Sequence, residues 1–81
     1  MTHKEKISKF IEDRYGYSVD FGIHDSIVRK KNKLIWVYPG PAGIMYRATY
    51  SLNKKMNIKD EISFEEKSVM LNEHRYKPFS G

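Results

Sequence analysis

The chain has 81 residues, of which 40% are hydrophobic and 14% aromatic, so it can build one small core but not two domains. These fractions exclude a disordered tail, and the absence of cysteine argues against a small secreted domain held together by disulfides. The formal net charge of +5 favours partners that carry negative charge. We therefore expect a single domain over residues 1–81 that folds in a reducing compartment.

The first ten residues, MTHKEKISKF, are charged and contain no apolar run of the kind found in a signal peptide. The longest uninterrupted apolar stretch is Leu34–Tyr38, which is far shorter than the roughly 20 residues of a membrane-spanning helix. We therefore expect a cytoplasmic protein with no membrane partner.

An N-terminal helix is predicted over about residues 3–15. Thr2 and Glu5 have the spacing of a capping box, in which each side chain bonds to the other residue's backbone amide. Gly16 can end the helix because it adopts the left-handed conformation without a steric clash. The apolar residues that recur at helical spacing are Ile7, Phe10, Ile11 and Tyr15.

The middle of the chain has the alternation of apolar and polar residues that is typical of strands. The predicted order is a strand over Tyr17–Ile23, a bend over Gly22–Asp25, extended chain at Ile27–Val28, a turn at Lys30–Lys33, a strand over Leu34–Tyr38, a break at Pro39–Gly43 and a strand over Ile44–Leu52.

The alternation of apolar and polar residues only partly determines which side chains of these strands are buried. Tyr46 and Tyr50 alternate with polar residues along their strand and share a face with Leu52. We therefore assign both tyrosines to the core. In the preceding strand every residue is apolar. Either Trp36 and Tyr38 or the alternate residues Ile35 and Val37 can be the buried pair.

The C-terminal third allows two interpretations. Ser63–Glu66 has capping-box spacing, and a helix from there to about His74 is preferred. Ile62 and Phe64 also alternate with polar residues, which leaves a strand as the alternative. Residues 75–81 are predicted to be an irregular tail. The expected fold class is α+β, with one antiparallel sheet of three to four strands and both helices on one face, in the order αβββα.

The distribution of charge is more informative than its total. From Ser26 to Lys59 the chain contains no Asp or Glu. Charge of one sign concentrated in one region is typical of a surface that binds a polyanion. Docking on an acidic protein and simple solubility are the alternatives. The basic residues of this acid-free window are Arg29, Lys30, Lys31, Lys33, Arg47, Lys54, Lys55 and Lys59.

Nucleic acid is the partner that this pattern favours. Lysines at a hairpin turn act as point charges that reach phosphates without reading sequence. An arginine in the middle of a strand can bind a phosphate, and aromatic rings on an open sheet face can stack on unpaired bases. The predicted nucleic-acid contacts are Arg29, Lys30, Lys31, Lys33, Arg47, Lys54, Lys55, Trp36 and Tyr38.

A catalytic role is the second hypothesis, and His24 is its candidate residue. A histidine can take the proton from a ribose 2′-hydroxyl while Arg29 or Lys31 stabilises the phosphorane, a reaction that needs no metal. His24 also lies beside the carboxylate of Asp25. The three histidines lack metal-ligand spacing, and the chain has no phosphate-binding glycine loop, so no metal and no cofactor are predicted.

The predicted αβββα order resembles the double-stranded-RNA-binding-domain architecture, and the stretch Tyr15–Pro41 resembles HicA-type toxins, which are small ribonucleases of that architecture. The segments that carry the resemblance are Gly16-Tyr17, Gly22-Ile23-His24, Lys30-Lys31-Asn32-Lys33 and Val37-Tyr38-Pro39-Gly40-Pro41. The resemblance implies RNA as the ligand and His24 as the catalytic base. Ile23 stands where that family has serine, and Glu65-Glu66 stands where its second helix is basic.

Together these observations predict a small regulatory protein that binds RNA, in preference to DNA, through the phosphate backbone and with low sequence specificity. A metal-independent ribonuclease with His24 as base is the alternative from a different class. The third hypothesis is an inhibitor that docks its basic face on an acidic protein, and a homodimer is left open. The composition also resembles that of bacteriophage accessory proteins, for which the expected compartment is the host cytoplasm.

Overall fold

A computed structural model describes residues 1–68, and in it one helix precedes a four-stranded antiparallel sheet. The elements are helix α1 (His3–Tyr15), strands β1 (Ser26–Lys30) and β2 (Lys33–Pro39), a short 3₁₀ turn (Pro41–Gly43), and strands β3 (Ile44–Leu52) and β4 (Ile58–Ser68). The spatial order of the strands is β1-β2-β3-β4, so each strand pairs with its neighbour in sequence. The predicted α+β class is confirmed.

Both ends of α1 are capped as the sequence predicts. The Glu5 amide donates to Thr2 Oγ1 (3.1 Å), and the Thr2 amide donates to Glu5 Oε1 (2.7 Å). Hydrogen bonds from Thr2 hold the pKa of Glu5 below its ordinary value. Gly16 ends the helix in the left-handed conformation, with φ at 80°. Within residues 1–68 no helix is long and apolar enough to cross a membrane.

The strand predicted over Tyr17–Ile23 is wrong, because this segment has no regular structure and β1 begins only at Ser26. Val19 and Phe21 nevertheless pack against the core. Tyr17 and Ile23, the other members of the alternating set, are exposed, so only the middle of the two-residue pattern contacts the core, without a ladder of backbone hydrogen bonds. The predicted bend is confirmed, since the Asp25 amide donates to the Gly22 carbonyl (3.2 Å).

The helix predicted over residues 63–74 is wrong as far as residue 68, because β4 runs through Ser63–Glu66. Cross-strand pairs with β3 outweigh the local capping signal. Phe64 lies opposite Ala48, and Glu65 lies opposite Arg47, whose Nη2 donates to Glu65 Oε1 (2.5 Å). Residues 69–74 and the predicted tail 75–81 lie outside the described residues.

The core forms where α1 packs on one face of the sheet. Its buried members are Ile7 and Ile11 from α1, Leu34 and Trp36 from β2, and Ala48, Tyr50 and Leu52 from β3. On β2 the buried set therefore includes Trp36, while Ile35 is only half-buried on the opposite face. The core assignment of Tyr50 is confirmed, and burial raises its pKa. The same assignment for Tyr46 is wrong, because Tyr46 is only half-buried and lies outside the core cluster.

A close contact at the end of β2 makes Gly40 a sensitive position. The ring of Tyr46 lies against Gly40, and an added Cβ would collide with the Cε2 atom of that ring. We expect Gly40→Ala to lower the free energy of unfolding by about 1–3 kcal/mol, the usual cost of overpacking. Urea denaturation followed by tryptophan fluorescence measures this change.

Gly22→Ala is the matched control. A Cβ at position 22 would meet only the carboxylate of Asp25, with Oδ1 at 3.2 Å, which is a milder contact than the collision at Gly40. Equal denaturation midpoints for the two variants would show that the Tyr46 contact with Gly40 does not constrain the turn.

Candidate nucleic-acid interface

Two lysine-containing turns lie at the same end of the sheet. Because β1 to β4 alternate in direction, the turns that follow β1 and β3 meet at one edge. The Leu52 amide donates to the Asn32 carbonyl (2.7 Å) and joins them directly. We call this edge the basic end, and its charged members are Lys30, Lys31, Lys33, Lys54, Lys55 and Lys59.

The first turn is a tight hairpin with Lys31 and Asn32 at its tip. Lys31 has φ at 56°, in the left-handed region that two-residue hairpins require. Arg29 supports this geometry, because its Nη1 donates to the Lys31 carbonyl (2.8 Å). Arg29 therefore shapes the turn, whereas the lysine side chains extend from it.

The second turn is organised by one asparagine. Asn53 Oδ1 accepts hydrogen bonds from the amides of Lys55 (2.9 Å) and Asn57 (3.1 Å). The Met56 carbonyl accepts a hydrogen bond from Lys6 Nζ (2.5 Å), which ties this turn to α1. The backbone that carries Lys54 and Lys55 is thus fixed while both side chains stay exposed.

The electrostatics of the basic end are not balanced locally. Lys30 lies directly opposite Lys33 in the ladder, a like-charge pair that disfavours the hairpin. Within residues 1–68, ion pairs join Lys9 to Asp13, Arg14 to Asp60 and Arg47 to Glu65, and no lysine of the basic end belongs to them. The nearest break in the positive charge is Asp60, beside Lys59. Hydrogen bonds from the Glu61 amide and from Arg14 hold the pKa of Asp60 below its ordinary value.

Three of the predicted contacts lie away from the basic end. Arg47 binds Glu65 in the middle of the sheet. Trp36 is only 5% exposed, and its Nε1 donates to Asp25 Oδ2 (3.0 Å), so its ring offers no face to a base. Tyr38 is half-buried near the other end of β2, stacked on Trp36 at a centroid distance of 4.1 Å.

Conversely, Lys59 belongs to the basic end although it is absent from the predicted contacts. It lies at the start of β4, directly after the second turn. Its position as the last residue of the acid-free window is the signal that could have identified it.

The proposed catalytic groups lie apart along the first strand. His24 precedes β1, whereas Arg29 lies near the far end of β1 and Lys31 follows it. The span from Ser26 to Lys30 alone covers about 13 Å at the usual rise per strand residue. The Oδ2 atom of Asp25 accepts a hydrogen bond from Trp36 Nε1, so this carboxylate has a partner other than His24. Among residues 1–68 no group of three or more His, Asp or Glu side chains could hold a metal ion.

Comparisons with protein-family models, with curated proteins and with solved structures give no match to this chain. The similarity of residues 15–41 to HicA-type toxins stays a prediction from the sequence.

Proposed function

We propose that the protein binds RNA through its basic end, by contact with backbone phosphates and with low sequence specificity. The observation that supports this most directly is the meeting of two lysine turns at one edge, with no carboxylate paired to their ammonium groups within residues 1–68. A cluster of like charges weakens the fold unless a polyanion neutralises it. A phosphate backbone supplies that neutralisation.

The shape of the basic end fits a backbone better than a base. The four strands span about 14 Å from β1 to β4, at roughly 4.8 Å per strand spacing. Neither turn contains an aromatic residue, and Trp36 is buried. Lysine contacts without stacking or bidentate pairing contribute affinity but read no sequence. The choice of RNA over DNA is supported by the resemblance of residues 15–41 to a ribonuclease family.

The ribonuclease hypothesis has less support from the geometry, because His24 and the first turn lie at opposite ends of β1. The hypothesis of an acidic protein partner rests on the same lysines. RNA is favoured because the charges lie along one narrow end of the sheet. This arrangement is complementary to a linear polyanion more than to a broad protein surface.

Binding of a mixed-sequence single-stranded RNA, measured by fluorescence anisotropy between 50 and 300 mM salt, tests this proposal. If all six lysines of the basic end reach phosphates, the slope of log K against log salt is about −4, since each contact contributes roughly −0.7. The RNA should remain intact on a denaturing gel.

A slope near zero would show that phosphate contacts do not contribute to binding. Cleavage that disappears in His24→Ala would instead support the ribonuclease. The same sequence as DNA and a polyglutamate chain are the controls. Tighter binding to polyglutamate than to RNA would favour the acidic protein partner.

A further inference from the structure

A second candidate site lies on the face of the sheet that α1 covers, and it extends from Glu61, two residues after Lys59, toward the end that is remote from the two lysine turns. The helix ends at Tyr15, and beyond it the side chains of β2 and β4 border an open groove with a volume of about 420 Å³. This volume is typical of sites for small organic groups. We call this the aromatic groove, and the residues that define it are Tyr15, Tyr17, Asp20, Tyr38, Glu61 and Phe64.

The rings along this part of the sheet form a continuous series. Trp36 stacks on Tyr38 with 4.1 Å between centroids, Tyr38 lies 5.2 Å from Tyr46, and Tyr46 lies 5.4 Å from Phe64. Only Ala48 separates Trp36 from Phe64 across the three strands, and its methyl group takes little room. Trp36 and Tyr38 turn a face to each other, as do Tyr46 and Phe64, so the accessible ring surface of the groove is that of Phe64 and of the tyrosines that line it.

Much of this aromatic surface is accessible within the described structure. Tyr15, Tyr17 and Phe64 are 52%, 57% and 52% exposed. The rings of Tyr15 and Tyr17 lie 6.2 Å apart and line the groove together with Phe64. Large aromatic side chains held at half exposure around a cavity are characteristic of a binding site.

The charge of the groove is opposite to that of the basic end. Asp20 and Glu61 line it, and no described lining residue is a cation. The hydroxyl of Tyr15 donates to Glu61 Oε1 (3.0 Å), and this bond raises the pKa of Tyr15. The nearby Arg14 is paired with Asp60 and lies over the Phe10 ring, and it is not among the residues that line the groove. These carboxylates repel phosphate, so the groove is not an extension of the RNA surface.

We propose that the aromatic groove binds an arginine side chain of a partner protein. A guanidinium group is planar and weakly hydrated, so it stacks on aromatic faces and pairs with carboxylates. The groove offers both features, with Phe64 and the tyrosines as faces and Glu61 as the counter-charge. The protein then has two sites of opposite charge on separate parts of the sheet. This proposal does not depend on RNA binding.

The test uses the full chain and its single tryptophan, because Trp36 lines the groove and reports occupancy through its fluorescence. The probe is the peptide Gly-Gly-Arg-Gly-Gly, and its counterpart has neutral citrulline in place of arginine. We expect saturable binding of the arginine peptide. The affinity for the citrulline peptide should be lower by about tenfold, because the loss of a cation–π contact together with an ion pair has an effect of this size. Equal affinities, or no fluorescence response to either peptide, would overturn the proposal.

Variants locate the site. Phe64→Ala and Glu61→Gln should each weaken the arginine peptide by about fivefold, while Phe64→Tyr keeps a ring and should bind as the parent does. Lys54→Glu, at the basic end, should leave the affinity unchanged. If Phe64→Ala instead abolishes a dimer seen by sedimentation and leaves peptide binding unaltered, the groove is a contact between copies of the chain, and the arginine site is excluded.

Discussion

Changing Lys30, Lys31 and Lys33 together to glutamate is expected to weaken RNA binding by about 500-fold at 50 mM salt. Each lost phosphate contact removes roughly 0.7 from the log–log salt slope, so the slope falls by about 2 units. At about 1 M salt counterion release no longer favours binding, and this concentration is 1.3 logarithmic units above 50 mM. A change of about 2 in the slope over this range lowers the binding constant by nearly three orders of magnitude. The loss should be equal for RNAs of different sequence.

The triple variant is chosen so that the hairpin itself is little changed. Lys30 and Lys33 face each other in the ladder, and two glutamates at these positions keep a like-charge pair there. Lys31 has a left-handed backbone, which a glutamate adopts at about the same cost as a lysine. Circular dichroism of the variant should therefore match that of the parent.

A matched pair of double variants separates location from net charge. Lys54 and Lys55 changed to glutamate should weaken binding by about 50-fold at 50 mM salt, from two lost contacts. Lys4 and Lys9 changed to glutamate alter the net charge equally but lie on α1, and the effect should stay below about threefold. Lys6 is left out of the control because it bonds to the Met56 carbonyl. Equal losses from both doubles would contradict a localised binding surface.

Leu34→Ala should have the largest effect on stability. Leu34 is fully buried, lies opposite Tyr50 in the ladder and belongs to the core cluster with Ile7 and Ile11. Truncating a buried leucine costs about 2–5 kcal/mol, because the transfer free energy is lost and a cavity remains. A domain of this size is stable by only about 4–12 kcal/mol. Urea denaturation followed by Trp36 fluorescence measures the loss.

Ile35→Ala is the control for this measurement, because Ile35 is the next residue of β2 and lies on the other face. We expect it to cost about 1 kcal/mol or less, which is the span of strand propensity at a partly exposed site. A larger loss from Ile35→Ala than from Leu34→Ala would mean that the opposite face of the sheet is covered in solution.

The elements that could be predicted are those with local signals. The capping box of Thr2 and Glu5, together with Gly16, sets the limits of α1 through contacts within a few residues. The hairpin at Lys31 and the strand that begins at Ile44 follow from turn residues and alternation. The acid-free window likewise indicated the lysines that the two turns bring together.

The remaining features depend on partners that are distant in sequence. Ser63–Glu66 carries a helix-start signal, but its ladder with β3 makes it a strand. In β2 every residue of Leu34–Tyr38 is apolar, so only the position of α1 decides that Trp36 is buried. His24 and Lys31 are seven residues apart in the chain, and the extended form of β1 separates them. The aromatic groove was not predicted, because it joins Tyr15 to Glu61 across 46 positions.

The order of the strands has a consequence for the entropy of chain closure. Each strand of the sheet pairs with the next in sequence, so every pairing closes a short loop. The cost of closure rises only with the logarithm of loop length, and chains rich in such local pairings fold faster than those that must join distant segments. The contacts of Arg14 with Asp60 and of Tyr15 with Glu61 close far longer loops. The bond from Lys6 to the Met56 carbonyl closes a loop of 50 positions, slightly longer still. The largest closure costs among these hydrogen bonds therefore fall on attaching α1 to the second turn and to β4.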